Sequence, residues 1–233
     1  MDQPIKKLQF IKRFFEMTGV LFQSHIEFME DPQLTASHPM TLIRSNHYLV
    51  VKYDPSIKPL TNPELTLEYS NKVVVEAFLG VNTNWREDQN FVLFQPESVS
   101  LPPIQGLKVE LLTIEKKMDL GKLKASCSYE EIEQSQVGLD DDIVLGIYHQ
   151  KDLLAVGSLW FIEQDLADLH LLIHPRFRSI GLGKLLFGLL VNRAFQVNRI
   201  PMARGKLMNH AAYKAALSIG FVEAVSVFEI YRD

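Results

Sequence analysis

The run Ile173-His174-Pro175-Arg176-Phe177-Arg178-Ser179-Ile180-Gly181-Leu182-Gly183-Lys184 lies between an apolar strand and an apolar helix, and it constrains this chain more than any other stretch. Leu169, Leu171, Leu172 and Ile173 make the strand, which Pro175 stops because proline offers no ladder N–H. Downstream, Leu185, Leu186, Leu189, Leu190 and Ala194 recur at three-to-four-residue spacing, so a helix begins near Gly183. A strand, a glycine-bearing turn and a helix N-terminus bring unpaired backbone N–H groups and the positive end of the helix dipole to one point. An anion belongs there. Gly181 and Gly183 leave out side chains that would keep a diphosphate off the backbone, and Arg176, Arg178 and Lys184 add positive charge at the rim. The competing reading is steric, with both glycines serving the strand-to-helix turn alone.

Neither G-x-x-x-x-G-K-[ST] nor G-x-G-x-x-G with an acidic residue about twenty positions on fits the glycine spacing. After the helix comes Ile200-Pro201-Met202-Ala203-Arg204-Gly205-Lys206-Leu207-Met208, read as a strand, and then Asn209 to Phe221. Asn209 is a good N-cap and Gly220 a good C′ residue, which gives a short helix a start and a stop. Strand, I-x-P-x-x-R-x-x-G-x-G, helix, strand, then N-x-x-A-x-x-x-x-x-x-x-G-F resembles the GNAT superfamily of N-acetyltransferases.

The resemblance extends over residues 107 to 233 and implies an α/β (α+β) fold, a mixed and largely antiparallel sheet flanked by helices. Leu107 to Ile114 would be the first strand and Glu115 to Val137 two helices flanking the acceptor site. Ile143 to His149 and Leu153 to Glu163 would be an antiparallel pair, Asp165 to His174 the strand that splays to admit the cofactor, and Val222 to Tyr231 the strand closing the sheet. It also implies acetyl-CoA, or another acyl-CoA, with its pyrophosphate on the loop of Arg176, Arg178, Ser179, Ile180, Gly181, Leu182, Gly183 and Lys184, and Asn209 beside it. Main-chain groups of Leu171, Leu172 and Ile173 would hold the pantetheine arm and polarise the thioester carbonyl, a task for backbone N–H groups, not for particular side chains. No metal is implied.

Many family members place a tyrosine seven residues after the asparagine to protonate the leaving thiolate, and here that position is Ala216. Tyr213, one turn earlier, is either a substitute acid or an aromatic that packs the helix on the sheet. Asp168 and His170 lie two apart, hence on one face of a strand, and are candidates for the base that deprotonates an ammonium, directly or through water. The plain alternatives are a solvated strand-end Asp and a satisfied core His. Ala167 occupies the position that carries a base in several relatives, and His174 reads as a loop residue.

With 233 residues, 47% hydrophobic and 22% charged, the chain can bury one large core or two smaller ones. A net charge of −4 and no basic stripe argue against nucleic acid as a ligand. Cys127 is the single cysteine, so no disulfide or cysteine zinc site forms, and it is read as either a packed residue or a thiol near the acceptor loop. Residues 1–20 lack the apolar core and cleavage site of a signal peptide, and no apolar run reaches eighteen residues. The expectation is a cytoplasmic protein that does not span a membrane.

In the N-terminal half Ile5, Leu8, Ile11, Phe14, Phe15 and Leu21 recur at helical spacing, for packing or for a membrane surface or partner. Tyr48 to Tyr53 and Asn90 to Phe94 read as strands, and Val73 to Leu79 as a strand or a helix core. Pro55 to Pro63 is turn-rich. Gln95 to Gly106, with Pro96, Pro102 and Pro103, is the best boundary, giving domains of 1–102 and 103–233. The first domain, smaller and α/β, is similar to the degenerate, partial GNAT-like halves that some superfamily members carry, with shaping of the acceptor pocket or homodimer formation as its roles.

Glu130, Glu131 and Glu133 with Asp140-Asp141-Asp142 make the acceptor region acidic, which either steers a cationic amine or is merely solvated. A small-molecule amine, a peptide N-terminus and a lysine side chain are all admitted. Two functions follow from the resemblance: an N-acetyltransferase working by direct transfer in a ternary complex, or a non-catalytic acyl-CoA-binding or interaction module, for which Ala216 is the motive.

Overall fold

The computed structural model describes residues 3–17, 19, 25–57, 65–81, 83–101, 106–163 and 165–232, so most of the Pro55 to Pro63 turn and Pro102-Pro103 lie outside the described residues. In chain order the elements are α1 (Gln3–Met17), β1 (Ile26–Glu30), β2 (Met40–Arg44), β3 (Leu49–Tyr53), α2 (Asn71–Leu79), β4 (Trp85–Phe94), β5 (Lys108–Leu111), α3 (Lys117–Ala125), α4 (Tyr129–Ser135), β6 (Ile143–His149), β7 (Asp152–Ile162), β8 (Leu166–Ile173), α5 (Leu182–Gln196), β9 (Ile200–Lys206), α6 (His210–Leu217) and β10 (Val222–Arg232). Short 3-10 turns occupy Ile114–Lys116 and Pro175–Phe177.

Two compact units result, residues 93–222 with 1–7, and residues 8–92 with 223–233. The division precedes the proline-rich stretch expected to carry it. The reason is that the segment after β4 is strapped to the C-terminal unit. Asn192 of α5 both accepts from the Val99 N–H and donates to its carbonyl, each at 2.8 Å. Buried Gln95 donates from its backbone to Pro201 O at 3.0 Å and from its side chain to Ile219 O at 2.7 Å.

In the N-terminal unit β3 pairs parallel to β1 and antiparallel to β2, and β2 pairs antiparallel to β10 from Ser226↔Arg44 to Ile230↔Met40. The last strand therefore belongs to this unit, where it lies beside β2. Val73 to Leu79 is a helix core. Ser70 accepts from Val73 N–H to start it, Gly80 at φ 91° ends it, and Val74, Val75 and Phe78 pack on Met40, Leu42, Leu49 and Val51. Burial on one face outweighs the β-branched preference of three valines. On α1, Phe10, Ile11, Phe14 and Phe15 are all buried, so this part of its apolar face is covered by packing, while Leu8 is exposed and Leu21 lies outside the described residues.

The C-terminal unit carries strands in the order β9-β8-β7-β6-β5, antiparallel except for β8 and β9. β5 is shorter than the expected Leu107 to Ile114, because Ile114 turns into the 3-10 segment. β7 is buried without a break from Leu153 to Ser158 and on to Leu159, as a strand covered on both faces must be. On one face, Leu112, Leu120, Leu123, Val144, Tyr148, Val156 and Leu172 form a cluster with α3. On the other lies α5, whose Leu182, Leu186, Leu190 and Ala194 repeat every four residues and are buried.

That second contact is close because Gly157 has no side chain. A Cβ there would lie 2.8 Å from Leu190 Cδ1 and 2.9 Å from Leu186 Cγ. Gly157→Val should therefore lower unfolding stability by about 1–3 kcal/mol through overpacking. Chemical denaturation checks this, and wild-type stability in the variant would contradict the packing described.

Candidate functional site

β8 and β9 pair at Leu166↔Ile200, Ala167↔Pro201 and Asp168↔Met202 and no further, although β8 runs to Ile173 and β9 to Lys206. From Leu169 onward the two strands part, and among the described residues the β9-facing edge of Leu169 to Ile173 has no strand partner. This is the splay expected of Asp165 to His174.

The splay leads to the cradle. His174 caps the Pro175–Phe177 turn, its Nδ1 accepting from Arg176 N–H at 3.2 Å, so it has a structural task beyond that of a loop residue. Ser179 at φ 62° and Gly181 at φ 94° then turn the chain into α5. A Cβ on Gly181 would meet open space, so its glycine answers to the backbone angle, whereas a Cβ on Gly183 would press Ile173 Cδ1 at 3.3 Å. No side chain caps α5, which leaves its first N–H groups without a partner from the cap residue. Arg176, Ser179, Ile180, Gly181 and Lys184 are exposed around them, and Leu182 is turned into the core.

Arg178, expected to add positive charge at the rim, is held by two partners. Its Nε and Nη2 donate to Ile173 O at 3.2 and 3.1 Å, and its Nη1 forms an ion pair with Glu131 of α4. The Arg178 hydrogen bond, followed by that of the Ser128 backbone N–H, holds the Glu131 carboxyl down to about 2. Ser128 and Glu131 also form a capping box, so one carboxylate fixes the start of α4 and an arginine of the cradle. Cys127 packs half-buried on the α3 cluster, its Sγ 3.9 Å from Ile173 O.

On the other face of β8, the face of α3, a row of polar groups crosses the sheet. Asp168 is 2% exposed and accepts from Arg204 Nε at 2.9 Å and from Arg204 Nη2. His170 lies between two carboxylates, Nε2 at 3.5 Å from Asp168 and Nδ1 at 3.5 Å from Asp141. Asp141 also accepts from Ser158 Oγ and, at 3.1 Å, from Gly138 N–H. Burial disfavours the charged imidazole, but Asp168 and then Asp141 outweigh it, and the His170 pKa is raised from its ordinary 6.5. Both ring nitrogens are shielded from solvent and lack a well-formed hydrogen bond among the described residues. Neither plain alternative holds, since Asp168 is not solvated and His170 is not satisfied.

A cavity of about 340 Å³ opens over this row, lined by Gln136, Gly138, Asp140, Asp141, Trp160, His170 and Arg204. Asp141 was visible in the sequence as part of an acidic run. Arg204 was not singled out, and only an arginine inside an apolar strand could have signalled it. Asn209 accepts from Ala212 N–H at 3.3 Å and caps α6, Tyr213 is half-buried one turn on, and Ala216 is fully buried. Among the described residues no cluster of His, Cys, Asp and Glu is arranged to hold a metal ion, and no helix is long and apolar enough to cross a membrane.

No family model and no curated protein matches this sequence. Solved structures do match it in shape. An acetyltransferase from the GNAT family of Colwellia psychrerythraea aligns with a TM-score of 0.51 at 18% identity over 64% of this chain. A putative GNAT-family acetyltransferase of Novosphingobium aromaticivorans aligns at 0.50 and 13% identity over 86% of this chain and 77% of its own. The chain has a GNAT-like fold. It spans 57% of the Colwellia protein's length. A functionally unknown conserved protein of Staphylococcus epidermidis aligns as well, at 0.51 and 12% identity over 71% of this chain and 69% of its own.

The Asp141–His170–Asp168 row of this GNAT-like unit has a consequence that can be measured. In a pH titration followed by NMR, the His170 ring should titrate above 6.5, and Asp141→Asn should lower the midpoint. Because the folded pKa is raised, the stability from the charged ring is complete below the unfolded value and is lost as pH rises through the folded one. A midpoint at or below 6.5 would contradict the geometry.

Proposed function

We propose that this protein is an acyl-CoA-dependent N-acetyltransferase that moves acetyl from acetyl-CoA to an amine by direct transfer in a ternary complex. The observation that carries this reading is the continuity of the β8/β9 splay with the uncapped N-terminus of α5. The splay offers unpaired strand backbone to a pantetheine arm, and the helix terminus offers N–H groups and dipole to a pyrophosphate. Arg176 and Lys184 are the cations free to add to it, and Arg178 takes part by holding Ile173 and α4 in place.

Acetyl-CoA supplies an activated acyl group on a moderately good leaving thiolate. The chain's own residues do the rest. His170 accepts the proton of the acceptor ammonium, with Asp141 and Asp168 stabilising the imidazolium that forms. Backbone N–H groups within Leu171 to Ile173 face the acyl carbonyl. Tyr213 remains the candidate acid for the thiolate. Fully buried Ala216 has no proton to give, and this favours the second reading, a non-catalytic acyl-CoA-binding module.

Thiol release from acetyl-CoA over a panel of amines separates the two. The transferase reading predicts release with at least one amine, at a rate that rises with pH as His170 loses its proton. His170→Gln should lower kcat by about 10²–10⁴-fold and flatten that profile while leaving acetyl-CoA affinity unchanged. Acetyl-CoA binding without thiol release from any amine would establish the binding module instead.

A further inference from the structure

The cavity over the polar row carries more than a base. Its lining comes from neighbouring strands of one sheet. Asp140 and Asp141 precede β6, Trp160 lies on β7, His170 on β8 and Arg204 on β9. Registers place Ser158 opposite His170 and Trp160 opposite Asp168, with Asp168 opposite Met202, two residues before Arg204. Charge therefore runs in one direction across the cavity, acidic at the β6 end and cationic at the β9 end, over strands spaced about 4.8 Å apart.

Both ends keep unused valence. The Asp140 carboxylate and the Asp141 Oδ1 make no hydrogen bond among the described residues. Arg204 spends Nε and Nη2 on one oxygen of Asp168, while Nη1 has no partner among the described residues and the side chain is 41% exposed. The buried Asp168 Oδ1 and both His170 nitrogens are likewise without a hydrogen bond, and buried polar groups left open beside a cavity mark a site that a ligand or water completes. A volume of about 340 Å³ suits a small molecule and not a folded protein's loop.

We propose that this cavity binds a free α-amino acid as the acyl acceptor, its ammonium toward Asp140, Asp141 and His170 and its carboxylate on Arg204 Nη1, with Trp160 flanking the side chain. The assignment rests on the transferase reading above and narrows its acceptor from amines in general to a zwitterion. A simple monoamine or polyamine leaves Arg204 facing nothing, and a lysine within a protein presents no carboxylate beside its ammonium. In the step itself His170 takes one proton from the ammonium, the freed amine nitrogen attacks the thioester carbonyl carbon, the C–S bond breaks, and the departing CoA thiolate takes up the second N–H proton and leaves as the free thiol.

The test uses matched sets: phenylalanine with phenylalaninamide and phenethylamine, and glycine with glycinamide and methylamine. Each is measured for thiol release with acetyl-CoA and, by calorimetry, for binding to the CoA-loaded protein. At least one amino acid should exceed its amide and its decarboxylated amine by about 100-fold in kcat/KM, and should bind where they do not. Asp140→Asn, at an exposed position, should raise the KM for that amino acid about tenfold. Because Arg204→Met alone strands a buried carboxylate, the arginine is tested in Asp168→Asn/Arg204→Met, which should abolish the preference for the carboxylate.

Turnover of amines or amides equal to that of the amino acids overturns the zwitterion while leaving the transferase intact. Binding of an amino acid but not its amine, with no thiol release from any compound, keeps the cavity assignment and overturns the transferase. Absence of both binding and release for every amino acid overturns the proposal.

Discussion

Pairing between β8 and β9 ends at Asp168, and at that residue a buried carboxylate is tied to an arginine two places further along the neighbouring strand. A buried ion pair contributes little net stability, because desolvation offsets its attraction, but removing either partner is costly. The pair therefore fixes position more than it adds stability. It holds β9 beside β8 at the last shared rung. Beyond that rung the strands diverge, one face of the divergence opening toward the α5 N-terminus and the other toward the cavity over His170.

The two halves of the site rest on different physics. The cradle is made of backbone. A left-handed Gly181, an uncapped helix and exposed cations present fixed dipoles and charge with few particular side chains. The polar row is made of side chains on successive strands, and its chemistry depends on register, since a slip of one residue would turn Asp168 and His170 toward α5. Glu131 joins the halves. Its carboxylate closes the capping box of α4 and engages Arg178, so α4 is bound to the loop before α5.

Local order made the cradle legible in the sequence. Strand, proline, glycines and leucine-rich helix are contiguous, and the element from Leu169 to Ala194 could be placed without knowing any partner. Asp168 and His170 were legible as a pair on one face, but not their burial, because that depends on Asp141 arriving from before β6 and Arg204 from β9. The ion pair of Arg178 was hidden for a similar reason, as its partner Glu131 lies 47 residues away. The β2 partner of the final strand was not legible at all. Val222 to Arg232 pairs with Met40 to Arg44, a pairing across most of the chain that no local pattern announces. Proline content placed the boundary late, since hydrogen bonds from Gln95 and Val99 to the C-terminal unit are invisible to composition.

The central claim is that an acyl-CoA lies in the β8/β9 splay with its pyrophosphate at the start of α5. Calorimetric titration of CoA into the wild-type protein and into Gly181→Val tests it most directly, with circular dichroism to verify that both are folded. A β-branched residue at φ 94° must shift the turn and misdirect the helix N–H groups. The account predicts saturable binding to the wild type, weakened at least tenfold in the folded variant. Wild-type protein that binds no CoA, or a folded variant that binds it equally well, would contradict the account.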